Sequence, residues 1–155
     1  MNPQLMSKLK QLRLSGLAST LEVRLTEASG NQLSHQEFLE LILNDELAIR
    51  DDRAIARRIK RAGFRELKTI EDFDFSFNPS IKRRQVMELA TGRFIRDSSD
   101  ILILGPPGVG KSHLVQAIGH QAARVGFTVL YRSIFDTINE LLQAENFGDS
   151  PKIMK

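Results

Sequence analysis

Leucines recur at helical spacing near the start of the chain, in two groups. The groups are Leu5, Leu9 and Leu12, then Leu17, Leu21 and Leu25. The Ser15-Gly16 pair between them is typical of a turn, and serine is a favoured residue at helix N-caps. The pattern predicts a helical hairpin with Ser15 as the N-cap of its second helix.

A longer helix is predicted after this hairpin. Ser34 and Glu37 have the spacing of a capping box, in which each side chain binds the other residue's backbone N–H. Gly63 can end this helix because glycine readily takes the left-handed conformation past a helix C-terminus. Residues 1–63 are therefore predicted to be wholly helical.

The pattern changes in the segment EDFDFSFNPS, which begins at Glu71. Phe73, Phe75 and Phe77 alternate with polar residues, and the Asn78-Pro79 pair disfavours a helix. We predict an extended strap here. Its phenylalanines are expected to pack against the core, and a surface for stacking on a base is the alternative.

The rest of the chain alternates between predicted helices and strands. Ser80 is expected to cap a helix that runs to about Arg96, and the apolar run Ile101–Leu104 is typical of a strand buried on both faces of a parallel sheet. The later elements are a helix from about Lys111 to Val125, a strand from Phe127 to Tyr131 and a helix from about Ser133 to Ala144. This order predicts an α/β fold, in which an all-helical domain precedes a module of two strands and two helices.

The motif G-x-x-x-x-G-K-[ST] lies between the first predicted strand and the following helix, which is the setting of a phosphate-binding loop. The loop consists of Gly105, Pro106, Pro107, Gly108, Val109, Gly110, Lys111 and Ser112. Glycines let backbone N–H groups face the phosphates, and the helix presents its positive end to the same anion. Lys111 is expected to reach the β- and γ-phosphates and Ser112 to bind Mg²⁺. A chance match in a glycine-rich turn is the alternative, and the motif names a cofactor class but not a reaction.

Basic residues are concentrated in the second half of the long predicted helix. Arg50, Arg53, Arg57 and Arg61 share one stripe, opposite an apolar face that includes Ile55. A cationic stripe of this spacing suits the phosphates of a nucleic-acid backbone. The alternative is a solvated face with Asp51 and Asp52 as local partners.

A second basic cluster, Lys82-Arg83-Arg84, lies in the first turn of the helix predicted after Ser80. Positive charge at a helix N-terminus is unfavourable, so another group is expected to offset it. Asp72 and Asp74 of the strap are the nearest candidates in the sequence. Nucleic-acid phosphate is the alternative.

Composition and charge limit the cellular environment and the kinds of chemical site that the chain can have. The 155 residues contain no cysteine, which excludes disulfides, thiolate metal sites and cysteine nucleophiles and favours a reducing, cytoplasmic environment. There is no apolar run long enough to span a bilayer, and the N-terminal residues lack the pattern of a secretory signal. The formal net charge of +3 says little about nucleic-acid binding, so the positions of the basic residues are more informative than their total.

The sequence resembles the IstB-like transposition helper ATPases of bacterial insertion sequences, which are related to the DnaC helicase loaders. The resemblance covers essentially the whole chain. It rests on LKQLRLSGLASTLE, RAIARRIKRAGF, KTIEDFDF, VMELATGRFI, ILILGPPGVGKSHLVQAIGHQA and GFTVLYR. The loop motif alone is shared with many AAA+ proteins. Its distance in the sequence from EDFDF and from an arginine-rich helix is much more specific to the IstB-like family.

The resemblance implies an N-terminal helical domain for self-assembly and DNA contact (1–69), a strap near the nucleotide (70–79) and part of an AAA+ P-loop module (80–155). Such proteins bind ATP with Mg²⁺ between subunits of a homo-oligomer, bind target DNA and recruit a partner transposase. Carried over by position, residues 105–112 would be the ATP site. The candidates for DNA contact are Arg53, Arg57, Arg58 and Arg61.

One departure from the family concerns the Walker B element, an apolar run ending in two acidic residues. The final GDSPKIMK contains no such run, so we expect a chain truncated before Walker B that binds nucleotide at most and does not hydrolyse ATP. In the AAA+ sheet order the two predicted strands are separated by two that this chain lacks. The parallel sheet would therefore be incomplete, and the chain is expected to be marginally stable or prone to aggregation.

Other functions remain open from the sequence. A DnaC-type helicase loader would carry the same loop with a replicative helicase as its partner. A small-molecule kinase fits less well, because its loop usually lies near the N-terminus. A non-enzymatic fragment that binds full-length relatives through its helices is a further alternative.

Overall fold

The structure is a computed structural model, and it describes residues 2–146. Within that range the helices are α1 (Pro3–Gln11), α2 (Ser15–Asn31), α3 (His35–Ala62), α4 (Arg83–Ala90), α5 (Arg93–Arg96), α6 (Lys111–Arg124) and α7 (Ile134–Asn146). The chain divides into two compact units between Ala56 and Arg57. The segment GDSPKIMK, which bears on the Walker B expectation, lies outside the described residues.

The first unit contains the predicted helical hairpin. The leucines of the two helices meet Ile42 of α3 in a small core. The buried members of that core are Leu9, Leu17, Leu21 and Ile42, with Met6, Leu14, Ala18 and Phe38 packed around them. The hairpin is therefore confirmed, although Leu5, Leu12 and Leu25 of the predicted pattern remain exposed.

The start of α2 differs from the prediction. Leu14 rather than Ser15 is the N-cap residue, and no side chain of the cap itself binds the helix start. Instead the backbone N–H of Leu17 donates to Glu46 Oε2 of α3 at 2.9 Å. The helices approach closely there, since a Cβ on Gly16 would lie 2.9 Å from Glu46 Cα. A cap supplied from another helix cannot be read from local spacing.

Both ends of α3 follow the prediction. The backbone N–H of Ser34 donates to Glu37 Oε2 at 2.8 Å, and the N–H of Glu37 donates to Ser34 Oγ at 3.3 Å, which completes the capping box. Gly63 follows the helix with φ of 72°, in the left-handed region. The capping box and the glycine stop are confirmed because both depend only on neighbours in sequence.

The second unit is organised around α6. Helix α4 packs on α6, and the strap lies against both. The buried core consists of Ile70, Val86, Leu114 and Ala117, with Phe73, Phe75, Ile81 and Ala90 around it. Phe73 and Phe75 therefore pack as predicted, whereas Phe77 is 73% exposed.

The predicted helix from Ser80 to Arg96 is two helices. Helix α4 begins at Arg83 with Lys82 as its N-cap residue, so Ser80 is not the cap. The helix stops before Gly92, whose φ is 70°. A Cβ on Gly92 would lie 2.7 Å from Cε2 of Phe127, so the glycine permits a close approach of that ring. The left-handed conformation of Gly92 therefore separates α4 from α5.

The predicted α/β fold is wrong for the residues that the structure describes. From 2 to 146 the regular structure is all helical, with no strand and no sheet, and neither Ile101–Leu104 nor Phe127–Tyr131 is a strand. Leu102 and Leu104 are 81% and 79% exposed. The N–H groups of Phe127 and Tyr131 donate to the carbonyls of Ala122 and Ala62, not to a neighbouring strand.

The physical reason lies in what defines a strand. Apolar runs identify segments that can be buried in a sheet, but a strand exists only where a second segment supplies the hydrogen-bonded ladder. Among the described residues no second segment does so. The helices predicted on either side of Phe127–Tyr131 are confirmed as α6 and α7.

Candidate nucleotide-binding site

The loop of residues 105–112 has backbone geometry that depends on its glycines. The φ angles are 155° at Gly105, 83° at Gly108 and 89° at Gly110, all in the region that side chains rarely adopt. A Cβ on Gly108 would meet no atom within 4 Å, so its backbone faces open space. The loop therefore exposes main chain that a phosphate group can approach.

Helix α6 begins at Lys111, immediately after this loop. Its N-cap residue is Gly110, and no side chain caps the first turn. The first N–H groups of a helix have no partner within the helix and carry its positive end. The start of α6 therefore offers backbone donors to an anion seated in the loop.

Lys111 brings a positive charge to the same place. Its Nζ donates to the carbonyl oxygens of Gly105 at 2.8 Å and Pro106 at 2.7 Å. The side chain thus folds back over the beginning of the loop rather than extending into solvent. Its ammonium group has a third donor for a ligand oxygen.

The strap contacts the loop through Phe73. A Cβ on Gly110 would lie 2.7 Å from Cε2 of this ring, and the ring of His113 lies edge-on to it with 5.2 Å between centroids. His113 Nε2 is also 2.9 Å from the carbonyl oxygen of Thr69. No local sequence pattern predicted His113 or Thr69 as part of this site, because both contacts join residues far apart in the chain.

The site fits a nucleotide phosphate group better than it fits an independent metal ion. The glycine backbone, the uncapped helix start and the ammonium group of Lys111 all attract an anion. Ser112 is exposed at the end of the loop. In the described part of the chain no group of three or more His, Cys, Asp or Glu residues could hold a metal ion.

Two predicted basic residues lie in the first unit and bind other side chains there. Arg50 Nε is 2.7 Å from Glu46 Oε1, and Arg53 donates to the hydroxyl of Ser15. Both arginines remain exposed in part. Arg50 is therefore paired within α3, and Arg53 links α3 to the beginning of α2.

The remaining basic residues of α3 lie in the second unit. Arg58 is half-buried, and its Nε donates to the carbonyl oxygen of Ala123 near the end of α6 at 2.8 Å. Arg57 and Arg61 are exposed. The predicted candidates for DNA contact therefore lie in different settings, which the sequence pattern did not distinguish.

The second basic cluster does lie at the start of a helix, α4. The guanidinium of Arg83 lies 5.8 Å from the centroid of the Phe75 ring, a cation–π distance. The strap carboxylates accept hydrogen bonds close by in the sequence: Asp72 from Thr69, just before the strap, and Asp74 from Ser76. The Phe75 ring is thus a contact for this cluster that the sequence did not indicate.

Within residues 2–146 no helix is both long enough and apolar enough to cross a membrane.

Comparison with known protein families shows which family this chain matches. The family described as "IstB-like ATP binding protein" matches residues 7–155, which is most of the sequence. Similar proteins include one named as an ATP-binding protein in an insertion sequence of Mycobacterium tuberculosis. It is 37% identical over 140 residues, which cover 90% of this chain and 56% of the relative.

Two further relatives have similar names. One is named as an ATP-binding protein of insertion sequence IS21 from Pseudomonas aeruginosa, with 38% identity over 88% of this chain and 52% of the relative. The other is named for insertion sequence IS5376 of Geobacillus stearothermophilus, with 34% identity over 94% of this chain and 58% of the relative. The chain thus spans about half the length of these relatives. On this evidence the chain belongs to the family of IstB-like ATP-binding proteins.

Proposed function

We propose that this chain binds ATP through residues 105–112 as part of a helper protein of DNA transposition. The observation that supports this most directly is the convergence of three glycines with positive φ, the Lys111 ammonium group and the uncapped start of α6. Membership of a family described as ATP binding supports the choice of ligand.

Each part of the loop has a role in this proposal. Gly105, Gly108 and Gly110, with Pro106, Pro107 and Val109 between them, present backbone N–H groups to the phosphates. Lys111 contacts the β- and γ-phosphates, and the Ser112 hydroxyl binds Mg²⁺. Bound Mg²⁺ would partly neutralise the charge of the ATP phosphates.

Transposition is the process that the relatives support. Those compared above are named for insertion sequences, which favours a transposition helper over a helicase loader or a small-molecule kinase. In this proposal the protein acts in the cytoplasm as a homo-oligomer that binds target DNA and partners a transposase.

The proposal assigns separate tasks along the chain. Residues 1–69 would serve assembly and DNA contact, residues 70–79 would form the strap, and residues 80–155 would hold the nucleotide. Among the basic candidates we choose Arg57 and Arg61 as DNA contacts, because their exposure leaves them available to phosphate. Arg53 and Arg58 are second choices, since each already hydrogen-bonds to a protein oxygen.

The ATP site is tested by Lys111→Ala, with Lys10→Ala as a control that removes one exposed positive charge from α1. Charge-assisted hydrogen bonds contribute about 1.5–3 kcal/mol, so Lys111→Ala should weaken ATP binding by about 10- to 100-fold. Titration calorimetry with ATP and Mg²⁺ measures this change. Equal affinity of the Lys111→Ala and unchanged chains would exclude the loop as the site.

A further inference from the structure

The ring of Phe73 lies against the backbone at which the phosphate loop becomes a helix. A Cβ on Gly110 would lie 2.7 Å from Cε2 and 3.1 Å from Cζ of that ring, and the first of these distances is too short unless the ring moves. Gly110 is the N-cap residue of α6 and has a left-handed φ of 89°. The ring therefore restrains the most conformationally free residue next to Lys111.

A second contact joins the same short segment to the first turn of α6. His113 Nε2 lies 2.9 Å from the carbonyl oxygen of Thr69, and the His113 ring is perpendicular to Phe73 at 83°. The segment is held in turn, because the N–H of Phe73 donates to the carbonyl of Ile70, which is buried in the core with Leu114. Residues 69–73 thus support α6 at Gly110 and at His113.

We propose that Phe73 is a positioning residue for the phosphate loop: its ring holds Gly110 so that the loop and the start of α6 keep the shape that receives phosphates. This inference rests on the proposed ATP site. A glycine-rich loop loses much conformational entropy when it becomes ordered, and a restraint present before binding reduces that cost. Phe73 acts on the phosphate end of the ligand and does not contact the base.

This role differs from base stacking in a measurable way. Tripolyphosphate has the phosphates of ATP but no base or ribose. A residue that shapes the loop should affect ATP and tripolyphosphate equally, whereas a residue that stacks on adenine should affect ATP alone. The two ligands therefore separate the two explanations for the same aromatic ring.

The experiment uses the 155-residue chain with Phe73→Ala, Phe73→Leu and, as a control, Phe77→Ala. Phe77 is exposed and belongs to the same strap. Calorimetry with Mg²⁺ should show about tenfold weaker binding of both ATP and tripolyphosphate to Phe73→Ala, equivalent to about 1.4 kcal/mol. Phe73→Leu, which keeps an apolar side chain over Gly110, should recover most of the affinity, and Phe77→Ala should bind both ligands normally.

Several results would overturn the inference. Unchanged affinity of Phe73→Ala for both ligands would show that Phe73 does not position the loop. A loss of affinity for ATP alone would indicate that Phe73 contacts the base instead. Circular dichroism monitors folding, and Phe73→Leu carries the test if Phe73→Ala unfolds. Unfolding of both would make Phe73 a core residue only. If Lys111→Ala weakens ATP binding while the Phe73 variants do not, this inference fails alone; if Lys111→Ala has no effect, the proposed ATP site fails with it.

Discussion

Glu46 Oε2 accepts a hydrogen bond from the backbone N–H of Leu17 at 2.9 Å, so a side chain of α3 caps the start of α2. Glu46 is buried, and its other oxygen, Oε1, is 2.7 Å from Arg50 Nε. One carboxylate therefore satisfies an otherwise unpaired helix donor and an arginine. The first unit depends on this residue more than on any local cap of α2.

Replacement of Glu46 by alanine should destabilise the first unit. It would leave the Leu17 N–H without its partner in a buried position, which costs about 1–3 kcal/mol in free energy of unfolding. Urea denaturation followed by circular dichroism would measure the loss. Glu40→Ala, on an exposed position of the same helix, should change stability by less than about 0.5 kcal/mol. Equal midpoints for the two variants would contradict the capping role.

The same carboxylate should make stability depend on pH. The Leu17 N–H, and then Arg50, lower the pKa of Glu46 below its ordinary value of 4.5, although burial opposes them. A lowered pKa in the folded state adds stability that is complete above the unfolded pKa and is lost as pH falls through the folded pKa. The stability difference between the unchanged chain and Glu46→Gln should therefore be largest near pH 6–7 and shrink as pH falls below about 4.5. A difference that stays constant from pH 7 to pH 3 would show that ionisation of Glu46 contributes nothing.

Arg58 and its neighbour Arg57 should respond differently to substitution. Arg58→Ala removes the hydrogen bond to the Ala123 carbonyl near the end of α6, so it should lower stability by about 1 kcal/mol. Arg57→Ala, at an exposed position, should have little effect. Thermal denaturation would compare the stabilities of the two variants, each of which removes one positive charge. A larger loss of stability in Arg57→Ala than in Arg58→Ala would contradict the structural role given to Arg58.

DNA binding should depend on the exposed pair Arg57 and Arg61. If each contacts one phosphate, the double alanine variant should reduce the slope of log affinity against log salt by about 1.8. Fluorescence anisotropy with a labelled duplex over a range of salt concentrations would measure the slope. Lys8→Ala with Lys10→Ala removes the same charge from α1 as a control. If both double variants gave the same slope as the unchanged chain, the arginines would be a solvated surface.

Local signals in the sequence were predictive wherever neighbours in the chain decide the structure. The Ser34 capping box and the Gly63 stop depend on residues within one helical turn, and both are present. The loop of residues 105–112 is another local feature, because its glycines, its lysine and the following helix are adjacent in the chain. Its role in phosphate binding stays a prediction. Ser15 failed as a cap because Glu46 of α3, which is distant in the sequence, binds the start of α2 instead. Ser80 failed because the backbone N–H groups of Ser80 and Ile81 donate to Asn78 in a local turn, and α4 begins only after Lys82.

The sequence by itself determined most of the helices, both ends of α3 and the position of the glycine-rich loop before α6. Only the tertiary structure decided that Ile101–Leu104 and Phe127–Tyr131 are not strands within residues 2–146, since a strand needs a partner that apolar spacing cannot supply. It also decided that Phe73 rests on Gly110 and that Arg58 binds Ala123. Periodicity reports which side of an element is apolar, whereas the identity of the partner depends on how distant segments pack.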